Sequence, residues 1–364
     1  MMGSPIVLTK KHNIIFSIVA LAILVGFLTY AHNTLRPFHL RIINLSAIYI
    51  LLALSLNLVN GFTGLFSLGH AGFMAVGAYT YGVLAISPER KEVVFFLEPM
   101  VAPLANLQLP IPIALLAAGI MAAFAGFLVG WPALRLRDDY LAIATLGFSE
   151  IIRIVLTNLQ TITNGAQGLR GFPSFPTTPV VWGFAFLAVV FMVALTRSAF
   201  GRSCKAIRDN EIAAQAMGIN VARVKITSFM ISCFMAGIGG ALLAHLQTTI
   251  DPLLFRFLLT YNVLLIVVLG GIGSITGSVL GAIIVTVGLE LLRFLDRSLD
   301  FGFFVTPALP GMRMVVFSIL LLAVILFRQN GLMGGKEFSW DGIVNAPRNL
   351  VIFLSRKFSR KGAV

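Results

Sequence analysis

The sequence contains few charged residues for its length. Only 11% of its 364 residues are Asp, Glu, Lys or Arg, whereas a typical soluble domain carries about 25%. Hydrophobic residues make up 58% of the chain. A water-soluble fold could not hide this much apolar surface, so the composition excludes an ordinary soluble enzyme. We expect an integral membrane protein.

Acidic residues are especially scarce, with 14 Asp and Glu against 27 Lys and Arg, which gives a net charge of +13. In a soluble protein such an excess would suggest a nucleic-acid partner. Here the basic residues lie mostly between apolar runs, where orientation in a membrane explains them better. We therefore expect contact with membrane lipid and no nucleic-acid partner.

Residue types that carry chemistry are also few, because the chain has two cysteines and five histidines. Cys204 lies in a basic loop and Cys233 in an apolar run, without metal-ligand spacing, which predicts free thiols. The sequence offers no catalytic triad, metal cluster or paired carboxylates. We expect no catalytic residue, no metal and no cofactor in this chain.

The apolar runs are long and numerous enough to cross a bilayer about ten times, since one spanning helix needs roughly 20 apolar residues. The first run follows Lys10 and Lys11 and has no small-residue cleavage site, which favours an uncleaved span over a signal peptide. The predicted spans are Ile14–Ala31, Ile42–Asn60, His70–Ile86, Ile111–Gly130, Tyr140–Thr157, Pro179–Thr196, Ile226–Leu246, Phe255–Gly270, Ile275–Leu292 and Met312–Phe327. The predicted fold is an all-α polytopic transmembrane helix bundle.

The basic residues are distributed unevenly between the two sides of this topology. With a cytoplasmic N-terminus, 17 of the 27 Lys and Arg lie on the inner side and the other 10 on the outer side. Basic residues concentrate in cytoplasmic loops. We therefore expect both termini to be cytoplasmic, in a single domain, 1–364, that ends in a basic cytoplasmic tail, 328–364.

Small residues recur at every fourth position along three of the predicted spans. Apolar helices in lipid associate through close backbone contact, which such residues permit. The three stripes are Ala114, Ala118, Ala122, Gly126 and Gly130; Ala236, Gly240 and Ala244; and Gly273, Gly277 and Gly281. They predict a compact bundle and are not informative about the substrate.

The inner loop between the sixth and seventh spans, about 197–225, is the most informative polar segment. Its centre, Ile207–Met217, has good helix formers and no Pro or Gly, and Gly218 stands where a helix C-terminus favours glycine. A short polar helix on the inner surface indicates a docking element. An ordinary solvated loop, whose charges only enforce orientation, fits the composition equally well.

Five segments of the sequence resemble one family of membrane proteins. Glu211–Ala214 with Gly218 resembles the coupling-helix (EAA-type) motif of ABC importer permeases, with Ile212 as an additional residue. Arg208–Asn220 is similar to the version in LivM-type permeases for branched-chain amino acids, a binding-protein-dependent transport inner-membrane component family. The other segments similar to this family are Asn57–Phe73, Asp139–Arg153, Val268–Gly281 and Phe327–Leu332. The resemblance extends over most of the chain.

This resemblance implies the transmembrane permease subunit of an importer in the bacterial cytoplasmic (inner) membrane. The implied partners are a homologous LivH-like permease, two cytoplasmic ABC ATPase subunits and an extracytoplasmic substrate-binding protein. ATP and Mg would be bound by the ATPase subunits, so this chain would be a transport subunit and not an enzyme. Gly331–Lys336 resembles a phosphate loop only superficially, because its spacing is short and Glu337 replaces the required Ser or Thr.

The resemblance also marks residues for coupling to the ATPase. Arg208, Asp209 and Glu211 would supply polar contacts, while small residues would permit close approach. The full candidate set is Arg208, Asp209, Asn210, Glu211, Ala213, Ala214 and Gly218.

Polar residues at membrane depth are candidates for the translocation path, because such side chains rarely face lipid. They are Asn57, Asn60, Thr63, Ser67 and His70, together with the i,i+3 pair Glu150 and Arg153. The first five could hydrogen-bond a zwitterionic substrate or join neighbouring helices around a turn. The charged pair, like Glu290 with Arg293, is either an ion pair near the outer end of a span or a contact for substrate carboxylate and ammonium groups.

The leading functional hypothesis is therefore import of branched-chain or related hydrophobic amino acids. Permeases for urea or short amides resemble the same family and remain an alternative. An ion-coupled secondary transporter would need coupling charges near the bilayer midplane, and a membrane-embedded enzyme would need convergent nucleophiles or metal ligands.

Overall fold

The computed structural model describes residues 10–136, 138–172, 178–296, 311–328, 330–334 and 337. The chain divides into two compact units, one of residues 1–35 with 336–364 and one of residues 36–335. In the first unit the structure describes helix α1, Lys10–Thr34, which contains the predicted first span. The tail predicted over 328–364 falls outside the described residues from 338 onward.

The described part of the second unit is almost entirely helical, so the all-α prediction is confirmed. Its helices are α2 (Pro37–Asn57), α3 (His70–Ala85), α4 (Pro88–Val94), α5 (Ala102–Ala105), α6 (Ile111–Ala133), α7 (Asp138–Asn158), α8 (Gln160–Thr163), α9 (Thr178–Arg197), α10 (Ala199–Asp209), α11 (Glu211–Ala216), α12 (Val221–Gln247), α13 (Phe257–Gly270), α14 (Ile275–Leu291) and α15 (Met312–Phe327). A π-helical turn, Leu58–Phe62, continues α2, and 3₁₀ segments cover Gly165–Gln167, Pro252–Phe255 and Leu292–Asp296. Strands β1 (Leu169–Arg170) and β2 (Thr249–Ile250) pair antiparallel, with Leu169 opposite Ile250.

Six described helical segments are long and apolar enough to cross a membrane, and the pair α3 and α4, bent by 119°, makes a seventh if it is one span. The six are Pro37–Phe62, Ile111–Ala133, Tyr140–Asn158, Thr178–Arg197, Val221–Gln247 and Ile275–Asp296. Helices α13 and α15 coincide with two further predicted spans but are shorter. A helix thus occupies each of the ten predicted segments, while six or seven have the length and apolarity of a complete span.

Helix α12 lies at the centre of the second unit, where small residues let it approach its neighbours closely. A Cβ atom at Gly237 would collide with Ala118 and Ala122 of α6. A Cβ atom at Gly240 would collide with the backbone of Met74 in α3. The predicted stripes on α6 and α12 are therefore confirmed as packing faces, which is the contact that associates helices in lipid.

The third predicted stripe is only partly correct. Gly277 and Gly281 lie on α14 and face α13, but Gly273 does not belong to that helix face. Helix α14 begins at Ile275, where the Ser274 hydroxyl caps it by accepting the Gly277 N–H at 3.0 Å. Gly273 lies in the preceding turn with φ +80°, a conformation that favours glycine.

We expect Gly277→Leu to disrupt the packing of α13 on α14. Any Cβ atom at position 277 would collide with the backbone of Gly270, and overpacking typically costs about 1–3 kcal/mol. The measurement is the yield of monodisperse protein in detergent together with its thermal unfolding midpoint. Gly147→Leu in α7 is the control, because nothing lies within 4 Å of a Cβ there. Equal stability of the two variants would contradict the packing.

Candidate functional site

The π-helical turn after α2 lies against the turn between α13 and α14, and Asn57 joins them. Asn57 is fully buried. Its Nδ2 group donates to the Ser274 carbonyl at 2.9 Å and to the Ser278 hydroxyl at 2.8 Å. Its Oδ1 atom accepts the Gly273 N–H at 2.8 Å. The Asn57 amide therefore bonds two segments of this chain to each other through both of its N–H groups.

The other polar candidates from the same stretch surround this turn and also bond to the chain itself. The Asn60 side-chain amide forms two hydrogen bonds with the Ser67 backbone. Its Oδ1 atom accepts the N–H at 3.1 Å, and its Nδ2 group donates to the carbonyl. The Thr63 hydroxyl donates to the Leu58 carbonyl at 2.9 Å. His70 Nε2 and the Ser55 hydroxyl lie 2.7 Å apart. The geometry thus brings the five residues together and favours the interhelical alternative, in which they hold a turn.

The charged pair Glu150 and Arg153 lies on α7, and its side chains bond each other at 2.7 Å. Both side chains are partly exposed, at 33% and 22%. Glu290 and Arg293 form a longer pair of 3.6 Å. The structure therefore shows both as i,i+3 ion pairs between neighbouring turns of the chain.

The inner loop contains two short helices in place of the one predicted over Ile207–Met217. Helix α10 ends at Asp209, and Asn210 is extended at φ −161°. The Asn210 side chain accepts the Ala213 N–H at 2.9 Å and so caps α11. The single-helix prediction is wrong because Asn stabilises a helix start more than a helix interior.

The glycine predicted to end this segment is confirmed. Gly218 has φ +82°. The Ile219 N–H donates to the Ala214 carbonyl at 3.1 Å, which is the 6→1 hydrogen bond of a Schellman motif. Nothing lies within 4 Å of a Cβ at Gly218. Its backbone conformation, and not lack of space within this chain, is what requires glycine.

Two of the predicted coupling residues bond to other residues of the chain although their side chains are exposed. Glu211 forms an ion pair of 2.7 Å with Lys225, whose side chain is only 10% exposed. Arg208 donates to Asp209 Oδ1 at 2.9 Å and to the Gly61 carbonyl at 3.2 Å. Ala214 is buried, whereas the rest of the predicted set is exposed: Arg208, Asp209, Asn210, Glu211, Ala213 and Gly218.

Two apolar side chains of the α11 region are highly exposed, and the sequence pattern did not select them. Ile212 is 81% exposed and Met217 is 83% exposed. Ile212 lies in the first turn of α11 and Met217 directly follows that helix, so both present apolar surface near its ends. Their hydrophobicity within that loop was the signal that could have identified them.

Helix α10 rests on the π-helical turn through several side chains. Arg208 reaches the Gly61 carbonyl, and the Lys205 ammonium lies 5.7 Å from the centre of the Phe62 ring. Cys204 is buried, and burial raises the pKa of its thiol despite a hydrogen bond with Thr63. The loop is thereby bonded to the same turn that Asn57 joins to the α13–α14 connection.

The remaining segments that carry the family resemblance reach this region as well. The Leu68 N–H donates to the Thr145 hydroxyl of α7 at 3.1 Å. After α15, the Leu332 N–H donates to the Leu269 carbonyl of α13 at 2.8 Å. Segments far apart in the sequence therefore meet at one end of the second unit.

Comparison with known proteins identifies the family. Residues 38–325 match the family described as "Branched-chain amino acid transport system / permease component". The high-affinity branched-chain amino acid transport system permease protein LivM of Escherichia coli (strain K12) is 36% identical over 326 residues, which cover 80% of this chain and 69% of that protein. The corresponding LivH protein of E. coli (strain K12) is 26% identical over 322 residues, covering 81% of this chain and 94% of that protein. No solved structure matches this chain significantly. The chain belongs to this permease family.

A charge exchange tests whether Glu211 acts within the chain. Glu211→Lys should lower the thermal unfolding midpoint, because two like charges would meet beside the largely buried Lys225. Combining it with Lys225→Glu should restore most of the lost stability. The measurement is thermal unfolding of the purified protein in detergent. If the double variant is no more stable than the single one, Glu211 is not held by Lys225.

Proposed function

We propose that this member of the permease family is the transmembrane subunit of an ATP-binding-cassette importer that moves branched-chain or related hydrophobic amino acids across the bacterial cytoplasmic membrane. One observation carries the proposed mechanism. The loop that contains α11 exposes Ile212 and Met217 at its surface, and Arg208 of the same loop bonds to the Gly61 carbonyl in the bundle. The printed function of the LivM relatives supports the substrate class.

The proposed topology has ten spans in one domain with both termini in the cytoplasm. Within the second unit, α10 and α11 precede α12 while β2 follows it. A helix of 27 residues extends about 40 Å, so the loop and the β1–β2 pair lie at opposite ends of α12. The excess of basic residues supports placing the loop, about 197–225, on the cytoplasmic side.

The proposed partners are a second permease of the same family, two cytoplasmic ATPases that bind ATP and Mg, and an external substrate-binding protein. Ile212 and Met217 would enter a groove of one ATPase, where the flexible Met side chain can adapt its shape. Asp209 and Ala213 are exposed beside them and would complete the contact. Arg208 and Glu211 would shape the loop from within.

Polar substitution of the exposed pair tests this docking surface. Ile212→Ser with Met217→Ser should leave the permease folded, because both side chains are already exposed to solvent. Co-purification of the ATPase subunits and amino-acid uptake should both fall strongly, since buried apolar anchors typically contribute about 2 kcal/mol or more to an interface.

Val93→Ser is the matched control, because Val93 is 75% exposed on α4 and lies away from the loop. The measurements are recovery of the complete complex and uptake into reconstituted vesicles. Normal ATPase recovery in the Ile212 and Met217 double variant would make this loop an ordinary connection.

A second test concerns Arg208, which we propose transmits motion of the loop to the π-helical turn. Arg208→Ala removes the bond to the Gly61 carbonyl but leaves α11 and its exposed side chains in place. ATPase subunits should still co-purify, while amino-acid uptake per ATP hydrolysed should fall several-fold.

Arg202→Ala is the control for Arg208, because Arg202 is exposed on the same helix and donates to the nearby Arg197 carbonyl. The measurement is the ratio of uptake to ATP hydrolysis in proteoliposomes. An unchanged ratio of uptake to ATP hydrolysis in Arg208→Ala would contradict a role for Arg208 in transmission, whatever the total rate of uptake.

A further inference from the structure

A groove lies between the end of α6 and the start of α12. Its volume is about 410 Å³. Phe127 and Trp131 from α6 form one wall, Ile226 from α12 lies opposite, and Arg135 and Arg223 lie at the groove as well. Neither the proposed transport path nor the proposed ATPase contact uses these residues.

The charge of the groove has one sign. Among its lining residues in the described part of the chain, Arg135 and Arg223 are the charged ones, and both are exposed. The Arg135 guanidinium lies 5.9 Å from the centre of the Trp131 ring, as in a cation–π contact. Two arginines beside an aromatic wall favour an anionic ligand.

The groove continues into an exposed apolar track along α6. Ile120, Phe124, Leu128 and Trp131 are between 53% and 60% exposed, and their spacing of four, four and three residues places them on one helix face. Helix α6 is one of the segments long and apolar enough to cross a membrane. Trp131 lies near its end, where tryptophan is enriched at membrane–water interfaces.

We infer that this groove binds the headgroup of an anionic phospholipid, with Arg135 and Arg223 at the phosphate and an acyl chain along the exposed face of α6. Basic pockets between membrane helices on the cytoplasmic side bind such headgroups. The apolar track distinguishes a lipid from a free phosphate ion, which would use only the arginines. The inference requires membrane insertion and is independent of the transported substrate.

Tryptophan fluorescence offers a direct test. The chain has three tryptophans, so Trp182→Phe with Trp340→Phe leaves Trp131 as the reporter. The full chain is reconstituted into phosphatidylcholine vesicles that contain a low, equal mole fraction of brominated phosphatidylglycerol or brominated phosphatidylcholine. At this equal mole fraction, brominated phosphatidylglycerol should quench Trp131 fluorescence far more strongly than brominated phosphatidylcholine, because it concentrates in the groove.

Paired variants separate this site from general charge attraction. Arg135→Gln with Arg223→Gln should reduce the preference for phosphatidylglycerol by up to about 30-fold. Arg135→Lys with Arg223→Lys should retain most of the preference for phosphatidylglycerol. That result would show that the protein still folds when both positions are substituted. Arg197→Gln with Arg202→Gln removes the same charge from exposed positions of the loop that contains Arg223. This variant should retain the preference for phosphatidylglycerol.

Four outcomes would overturn the inference. The first is equal quenching of Trp131 by the two brominated lipids. The second is a phosphatidylglycerol preference that survives Arg135→Gln with Arg223→Gln. The third is displacement of the lipid signal by soluble glycerol phosphate, which would show a site for a free phosphate group. Failure of Trp131 to respond to either lipid would show that protein covers the groove, and would equally refute it.

Discussion

Close backbone contact at small residues is the constraint on which this bundle depends. Helices surrounded by lipid gain little from hydrophobic association, so van der Waals packing and interhelical hydrogen bonds must hold them together. Gly237 and Gly240 bring α12 against α6 and α3, and Gly277 brings α14 against α13. Larger side chains at these positions would separate the helices and remove the contacts that position every other feature.

The same close packing permits an irregular turn inside the bundle. A π-helical turn leaves backbone groups that must be bonded within the protein, since lipid offers no partner. Gly61 lies so close to the α13–α14 turn that a Cβ atom would meet the Gly273 nitrogen. The Asn57 side chain accepts the Gly273 N–H of the α13–α14 turn, and Arg208 donates to the Gly61 carbonyl of the π-helical turn. A loop at the surface is thereby connected to the interior by short polar contacts.

That connection changes how the family motif is interpreted. Its conspicuous charged residues, Arg208 and Glu211, are exposed but form bonds within the chain, whereas the apolar side chains of Ile212 and Met217 are more than 80% exposed. We therefore expect the motif to combine two tasks, with charged residues fixing the geometry of the loop and apolar residues providing the docking surface. The sequence pattern alone assigns the charged residues to the docking contact and does not select Ile212 and Met217.

The sequence by itself determined the features that depend on local composition: the apolar helices, the small-residue faces of α6 and α12, the glycine that ends α11 and the family resemblance. The sequence pattern placed Gly273 on a helix and predicted one helix over Ile207–Met217, because it did not show that Ser274 and Asn210 would cap the helices that follow them. Only the tertiary structure decided which polar groups pair. Arg208 and Gly61 are separated by 147 positions, and Asn57 and Gly273 by 216. Local propensity carries no information about such partners, because their contact is fixed by how closely the intervening helices pack.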